Sequence, residues 1–200
     1  ELLKLAGKVI AIEADRELFK KLQTDFADEI RDQKLELVHG DIRTFDITTL
    51  SRGCALVANI PYYLTGEIFR KFLEAPNQLR RSSKSEPRPQ ASGPSAMTLL
   101  VQKEVAVRIA RSKKESILSL SVKAYGEPKY EFTVKRGAFK PAPNVDSAVL
   151  TVRNISRKNF ITQKEEQRFF AFLHAGFAHK RKFVRNNLAE VGLTRQDLVT

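Results

Sequence analysis

Residues 55–66 read ALVANIPYYLTG, and the rest of the chain is organised around this stretch. The apolar run that opens it is typical of a buried strand in a parallel sheet. Pro61 cannot donate to a sheet ladder, so the strand must end just after Asn59. Open α/β sheets bind ligands beyond the carboxyl ends of their strands, and we therefore expect Asn59 to lie at a ligand site.

The Asn-Ile-Pro-Tyr sequence suits the recognition of a planar nitrogen base. The Asn59 amide oxygen and a backbone carbonyl near Pro61 can accept both hydrogens of an exocyclic amine, while the Tyr62 ring stacks on the base. Two acceptors would localise the amine lone pair and direct it at an electrophile, here a methyl group on a sulfonium. The alternative is a strand-terminating turn in which Asn59 caps the next helix and both tyrosines pack.

A second predicted strand end, this one acidic, precedes this motif. Residues 8–15 (KVIAIEAD) predict a buried strand, and a helix capped by Asp15 follows from Arg16 to Phe26. Glu13 would lie at the strand end, where a carboxylate can accept from both hydroxyls of a ribose. A solvated carboxylate at a strand terminus is the alternative.

A third strand ends in the same way. Residues 35–39 (LELVH) alternate like a strand and run into Gly40, Asp41 and Ile42. Asp41 can accept from the amino group of an adenine, with Ile42 donating through its backbone and packing on the ring. Taken alone, this is also the pattern of a turn. The three strand ends together predict a nucleotide site on a doubly wound sheet.

Composition points to a polyanionic partner. The chain has 200 residues, 42% of them hydrophobic, and a formal net charge of +12. Nucleic acid is the expected partner, with an anionic membrane surface as the rival. No apolar run approaches the length of a membrane span, and no signal-peptide pattern opens the chain. The single cysteine, Cys54, excludes disulfides within the chain and fits a reducing compartment such as the cytoplasm. The histidines and Cys54 are not at ligand spacing, so no metal site is predicted.

The remaining sequence predicts helices, two more strands and a flexible basic insertion at residues 76–96. The predicted helices are 65–75, 103–112, 116–125, 168–178 and 182–191, and the predicted strands are 97–101 and 129–136. Between the last strand and Val149, two prolines are expected to keep a loop stiff and extended. Phe139 precedes them and would face a flipped base; the alternative is a core position.

Six blocks of this sequence resemble the KsgA/Erm family of S-adenosylmethionine-dependent ribosomal RNA adenine dimethyltransferases. They are VIAIEAD, LVHGDI, NIPYYLTGEIF, LLVQKEVAVRI, FKPAPNVDSAVL and FAHKRKFVRNNL. The resemblance covers nearly the whole chain outside residues 76–96. It is closer to the KsgA branch, which dimethylates two adjacent adenines near the 3′ end of small-subunit rRNA, than to the Erm branch, which modifies large-subunit rRNA.

The resemblance implies a Rossmann-like class I methyltransferase fold that uses S-adenosylmethionine. Residues 1–155 would form the methyltransferase domain, and residues 156–200 would begin an incomplete helical RNA-binding domain. The implied cofactor residues are Glu13, Ala14, Asp41, Ile42 and Asn59. The implied residues for the target adenine are Asn59, Pro61, Tyr62 and Phe139. The implied partner is ribosomal RNA of the small subunit, bound by a monomeric enzyme.

One departure from the family pattern concerns the amino end. Family members carry a first strand and a glycine-rich loop before the helix that this chain enters at Glu1, and neither is in this sequence. We therefore interpret the chain as a piece of a functional enzyme, with weakened or lost cofactor binding. A non-catalytic RNA-binding or ribosome-assembly protein is the alternative that this departure favours.

A basic cluster near the carboxyl end is interpreted as a phosphate-binding surface. Its residues are Lys180, Arg181, Lys182 and Arg185. A solvated helix start is the alternative, but the net charge favours contact with RNA phosphates. A DNA adenine methyltransferase would use a similar Asn-Pro-Tyr core. A nicotinamide-dependent dehydrogenase would share the sheet, but no residues here supply a hydride-transfer site.

Overall fold

The computed structural model describes residues 1–51, 53–74, 93–178 and 187–188. The chain divides into two compact units, Glu1–Ile47 and Thr48–Thr200. Both mix helices with strands, which confirms the predicted α/β class. Part of the predicted insertion (76–92) and the predicted cluster Lys180, Arg181, Lys182 and Arg185 lie outside the described residues.

The first unit is a two-stranded parallel sheet with short helices. Strand β1 (Val9–Glu13) pairs with β2 (Leu35–His39) in a register that places Glu13 opposite His39. The helices are α1 (Leu2–Leu5), α2 (Arg16–Asp25) and α3 (Ala27–Arg31). The Asp15 side chain accepts from the Leu18 backbone N–H at 2.8 Å, so the predicted cap of α2 is confirmed.

The second unit contains a four-stranded sheet in the order β3-β4-β6-β5. Its strands are β3 (Ala55–Asn59), β4 (Ala96–Gln102), β5 (Glu127–Val134) and β6 (Ser147–Arg153). Only β3 and β4 are parallel; β6 runs antiparallel to both β4 and β5. Asn59 therefore ends a strand of the four-stranded sheet, whereas Glu13 ends a strand of the two-stranded sheet.

The edge position of β3 explains a further difference. The sequence predicted a buried strand, but the side chains of β3 alternate between exposed and half-buried, and Val57 is 49% exposed. An edge strand at the end of a sheet has a neighbour on one side only, so less of it is covered. In β4, the adjacent strand, Met97, Leu99 and Val101 are at most 1% exposed.

The described residues of the second unit also form helices. They are α4 (Thr65–Glu74), α5 (Lys103–Ala110), α6 (Ile117–Tyr125) and α7 (Gln163–Ala178). In α4, Ile68, Phe69, Phe72 and Leu73 recur at helical spacing and are at most 3% exposed, as predicted. In α2, by contrast, Leu18 is 45% exposed.

A buried polar cluster fixes α7. The Glu166 side chain is 2% exposed and accepts from the Tyr125 hydroxyl at 2.5 Å and from Arg157 Nε at 3.3 Å. Arg157 also donates to the Leu73 carbonyl at the end of α4, at 2.6 Å. Burial and the adjacent Glu166 carboxylate raise the pKa of Tyr125 above its usual range, so its hydroxyl stays protonated and donates.

The carboxyl end of the predicted insertion belongs to the sheet. The Ser95 backbone N–H donates to the Cys54 carbonyl at 2.9 Å, and Ile155 donates to the Ser95 carbonyl at 3.0 Å. Ala96 is the first residue of β4, so the sequence placed the end of the insertion a few residues too late. None of the described helices has the length and apolar character that a membrane crossing needs.

Candidate functional site

The predicted base-binding turn begins at the last residue of β3. Asn59 ends the strand, and Tyr62–Leu64 form one turn of 3₁₀ helix that leads directly into α4. Leu64 donates to the Pro61 carbonyl at 2.9 Å, and the Thr65 hydroxyl donates to the Tyr62 carbonyl at 2.9 Å. Two carbonyls of the turn are thus engaged internally, whereas no described residue donates to the Ile60 carbonyl.

Asn59 is exposed and is not used as a helix cap. Its side chain makes no hydrogen bond with the described residues of α4, so the capping alternative is wrong. Tyr63 is 81% exposed, which also excludes the alternative in which both tyrosines pack. The Asn59 amide is therefore accessible to a ligand, and the half-buried Tyr62 follows three residues later.

A hydrogen bond anchors the Tyr62 ring. The Tyr62 hydroxyl lies 2.6 Å from the hydroxyl of Ser147, the first residue of β6, which is fully buried. Because the ring is held at both ends, by the backbone and by Ser147, the position of its long axis is fixed. The sequence indicated a stacking role for Tyr62 but gave no sign of this partner, since 85 residues separate the two positions.

Phe139 follows a 3₁₀ turn (Arg136–Ala138) that is tied to the start of β6. Its side chain is half-buried, between the two predicted alternatives of a core position and a site position. The loop is not the extended segment that the prolines predicted, because bends occur at residues 139–141 and 144–145. The Lys140–Pro141 peptide bond is cis.

Asp146 links this loop to two other elements. Its carboxylate accepts from the Arg136 backbone N–H at 3.1 Å and from Lys135 Nζ at 3.3 Å. Its backbone carbonyl accepts from the N–H of Lys103, the first residue of α5, at 3.0 Å. The Arg136 hydrogen bond, helped by Lys135, holds the pKa of Asp146 below its usual value. The sequence analysis did not single out Asp146 as a positioning residue.

In the first unit, the predicted ribose acceptor is held in place by its own loop. Glu13 Oε1 accepts from the Asp15 backbone N–H at 2.8 Å. The Glu13 carbonyl accepts from Gly40 at 2.9 Å and so joins the ends of β1 and β2. The Glu13 carboxylate thus lies beyond the carboxyl end of a strand, as predicted.

Asp41, the predicted adenine acceptor, has a partner that the sequence analysis missed. Its Oδ2 accepts from Arg43 Nε at 2.8 Å and from a terminal guanidinium nitrogen at 2.5 Å, while Oδ1 accepts from the Arg43 N–H at 2.8 Å. The Asp41 side chain remains 33% exposed. The sequence signal for this ion pair was the charged residue Arg43, two positions after Asp41.

The structure groups the predicted residues by unit. In the first unit, Glu13, Ala14, Asp41 and Ile42 all follow or end the two parallel strands. In the second unit, Asn59, Pro61 and Tyr62 form one turn, and Phe139 is connected to it through Asp146 and Ser147. No group of three or more His, Cys, Asp or Glu among the described residues is arranged to hold a metal ion.

Comparison with known proteins gives a consistent match. The family model described as ribosomal RNA adenine dimethylase matches residues 1–199. A Fusobacterium nucleatum protein named ribosomal RNA small subunit methyltransferase A is 32% identical over 98% of this chain and 69% of that protein. A Dehalococcoides mccartyi protein of the same name is 35% identical over 100% of this chain and 64% of that protein. This chain therefore spans about two thirds of the length of these relatives.

Two solved structures share the fold. The 23S rRNA methyltransferase ErmE superposes with a TM-score of 0.70 at 23% identity, over 94% of this chain and 69% of that one. A dimethyladenosine transferase from Plasmodium falciparum gives a TM-score of 0.70 at 23% identity, over 98% of this chain and 63% of that one. The fold is therefore of the Rossmann-like class I methyltransferase type.

Proposed function

The chain belongs to the ribosomal RNA adenine dimethylase family, and we propose that it is part of an enzyme that dimethylates adenine N6 in small-subunit rRNA. The methyl donor in this proposal is S-adenosylmethionine. Such an enzyme would act in the cytoplasm as a monomer during ribosome maturation.

The observation that carries the proposal is the pairing of an exposed amide with an anchored aromatic ring. Asn59 is exposed at the end of β3, and Tyr62 in the turn that follows is anchored through Ser147. A planar base that stacks on such a ring brings its exocyclic amine to the Asn59 oxygen. The Ile60 carbonyl, to which no described residue donates, offers a second acceptor.

The mechanism assigned to these residues is orientation and electrostatic activation. The lone pair of an aromatic amine is delocalised into the ring, which makes it a poor nucleophile. Asn59 and the neighbouring carbonyl would accept its two hydrogens and localise that pair, because acceptors favour the more polarised form. Tyr62 and Phe139 would hold the base at the angle that in-line attack requires.

The acidic residues of the first unit fit the adenosine part of the cofactor. S-adenosylmethionine, when bound, supplies a methyl group on a positively charged sulfur. A carboxylate offers about four lone-pair sites, so Glu13 can accept from a ribose while it keeps the Asp15 N–H. Asp41 can likewise accept from an adenine amino group while Arg43 occupies one edge, with Ala14 and Ile42 beside these acids.

The basic character of the chain supports a ribosomal RNA partner. A net charge of +12 favours binding to phosphates independently of sequence. The cluster Lys180, Arg181, Lys182 and Arg185, outside the described residues, is the proposed backbone contact, and the target adenine would be read in the pocket.

A methyl-transfer assay tests the proposal. The chain and a form extended by the first strand and glycine-rich loop of the family would be incubated with methyl-labelled S-adenosylmethionine and small ribosomal particles. We expect N6,N6-dimethyladenosine in the digested small-subunit rRNA from the extended form. Methylation of large-subunit rRNA instead would establish the Erm-type activity, and RNA binding without any transfer would favour a non-catalytic role.

A further inference from the structure

An open groove lies within the second unit. It has a volume of roughly 860 Å³ and lies between α5, the turn that leads to α6, the loop before β6 and the last turn of α7. Lys103, Val107, Arg108, Lys114, Val145 and Phe177 are among the residues that line it. None of these residues has a part in the proposed chemistry.

The charges of the groove leave cations available. Lys103, Arg108 and Lys114 are exposed, and none forms an ion pair with a described carboxylate. Two of the three acidic residues in the lining are already engaged: Asp146 with Lys135 at 3.3 Å, and Glu115 with Lys123 at 2.5 Å. Among the acidic residues of the lining, only Glu104 is left to offset the three cations, so the net charge available to a ligand is positive.

The groove also has an apolar side. Val145 is 40% exposed, and Val107 and Phe177 are half-buried. A row of cations beside an aromatic ring matches the two parts of a nucleotide, because phosphates bind to Arg and Lys while bases stack on aromatic side chains.

The groove is linked by hydrogen bonds to the site proposed for the target adenine. Asp146 lines it and is adjacent in sequence to Ser147, whose hydroxyl anchors Tyr62 at 2.6 Å. Asp146 also fixes the turn before Phe139 through the Arg136 N–H. These two links connect the lining of the groove with both rings assigned to the target adenine.

We propose that the groove binds the nucleotide that flanks the target adenine in single-stranded RNA, with its phosphate on Arg108 and Lys114 and its base on Phe177. This proposal rests on the proposed function, since it requires the target adenine to occupy the turn at Tyr62. It adds a second contact that would select an unpaired RNA strand over a duplex.

The test measures binding of the chain to a hairpin transcript from the 3′ end of small-subunit rRNA by fluorescence anisotropy. We expect Arg108→Ala/Lys114→Ala to weaken affinity about tenfold. The slope of log affinity against log salt should fall by about 0.7, since the two side chains share one phosphate and each neutralised phosphate of a single strand contributes about 0.7. Lys158→Ala/Lys164→Ala removes the same charge from two exposed residues outside the groove and should change little.

Three results would overturn the proposal. Equal losses in both double variants would mean that only net charge matters, and unchanged affinity in the groove variant would mean that RNA does not use it. If wild type and Phe177→Leu each bind the hairpin and a fully paired duplex with equal affinity, the groove does not select single strands. Circular dichroism checks folding, and Arg108→Lys/Lys114→Arg should restore affinity. Absence of methyl transfer by the wild-type enzyme would contradict the proposed function, whereas the groove is judged by binding alone.

Discussion

Tyr62 and Ser147 are joined by a hydrogen bond of 2.6 Å between their hydroxyls, although 85 residues separate them in the sequence. The bond connects the turn after β3 to the first residue of β6, and so connects the NIPYY and VDSAV blocks of the chain. These two blocks, which are distant in the sequence, therefore both position the Tyr62 ring.

This bond should be measurable as an energetic coupling. We expect Tyr62→Phe and Ser147→Ala each to lower the free energy of unfolding by about 1 kcal/mol, because each leaves a polar partner unsatisfied. The double variant should cost clearly less than the sum, with a coupling of about 1 kcal/mol. Urea unfolding of the four proteins gives the cycle. Tyr63→Phe, at a position 81% exposed, is the control; additive losses would mean that the bond contributes nothing in solution.

Asn59→Ala should abolish most methyl transfer and change cofactor binding far less, because the other four implied cofactor residues are unchanged whereas the Asn59 amide is assigned directly to the amine. We expect a loss of about 100-fold or more in kcat, the size seen when one oriented hydrogen-bonding group is removed from a reacting centre. The comparison uses the extended enzyme and calorimetric titration with S-adenosylmethionine. Unchanged turnover would refute the role assigned to Asn59.

Stacking predicts a graded response at the two aromatic positions. Tyr62→Ala and Phe139→Ala should each slow methyl transfer strongly, whereas Tyr62→Phe and Phe139→Tyr should retain much of the rate, since the face of the ring is what contacts the base. Single-turnover rates with saturating RNA separate this effect from weaker binding. If neither alanine variant slows transfer, the base is not held between these rings.

Asp146 predicts a pH dependence of stability. Its pKa is held below the usual value by the Arg136 N–H and by Lys135, so its contribution to stability is present above the unfolded pKa, near 3.8, and is lost as pH falls through the folded pKa. Wild type should therefore have a higher free energy of unfolding than Asp146→Asn at pH 6, and the free energies of the two proteins should converge below pH 4. Urea unfolding across this range is the measurement, and a constant difference would contradict the assignment.

Gly126 has no room for a side chain. A Cβ there would lie 2.8 Å from the Arg153 carbonyl oxygen and 2.8 Å from Val152 Cγ1. We expect Gly126→Ala to lower the free energy of unfolding by about 1–3 kcal/mol through overpacking. Gly66→Ala is the matched control, because a Cβ at this position in α4 would meet no atom within 4 Å. This variant should raise the free energy of unfolding by about 0.5–1 kcal/mol. Equal changes in the free energy of unfolding for the two variants would show that β6 moves to make room at Gly126.

Local sequence signals predicted the elements well and their surroundings less well. The cap at Asp15 and the apolar face of α4 depend on residues within one or two turns, which the sequence displays directly. The exposure of Val57 depends on which strand lies beside β3, and no local pattern contains that information.

The candidate site divides in the same way. Asn59 at a strand end followed from Pro61, because a proline ends a strand whatever surrounds it. The partners Ser147 for Tyr62 and Arg43 for Asp41 were missed for different reasons. Ser147 comes from a distant strand, whereas Arg43 is local but its side chain could have pointed to solvent.

The contacts of Arg157 constrain how α7 can respond when RNA arrives. Its guanidinium holds both the Glu166 carboxylate in α7 and the Leu73 carbonyl at the end of α4, the helix that begins beside Tyr62. Separating α7 from α4 would leave a buried charge without its partner, which costs several kcal/mol. We therefore expect α7 and α4 to move together, rather than independently, when RNA binds.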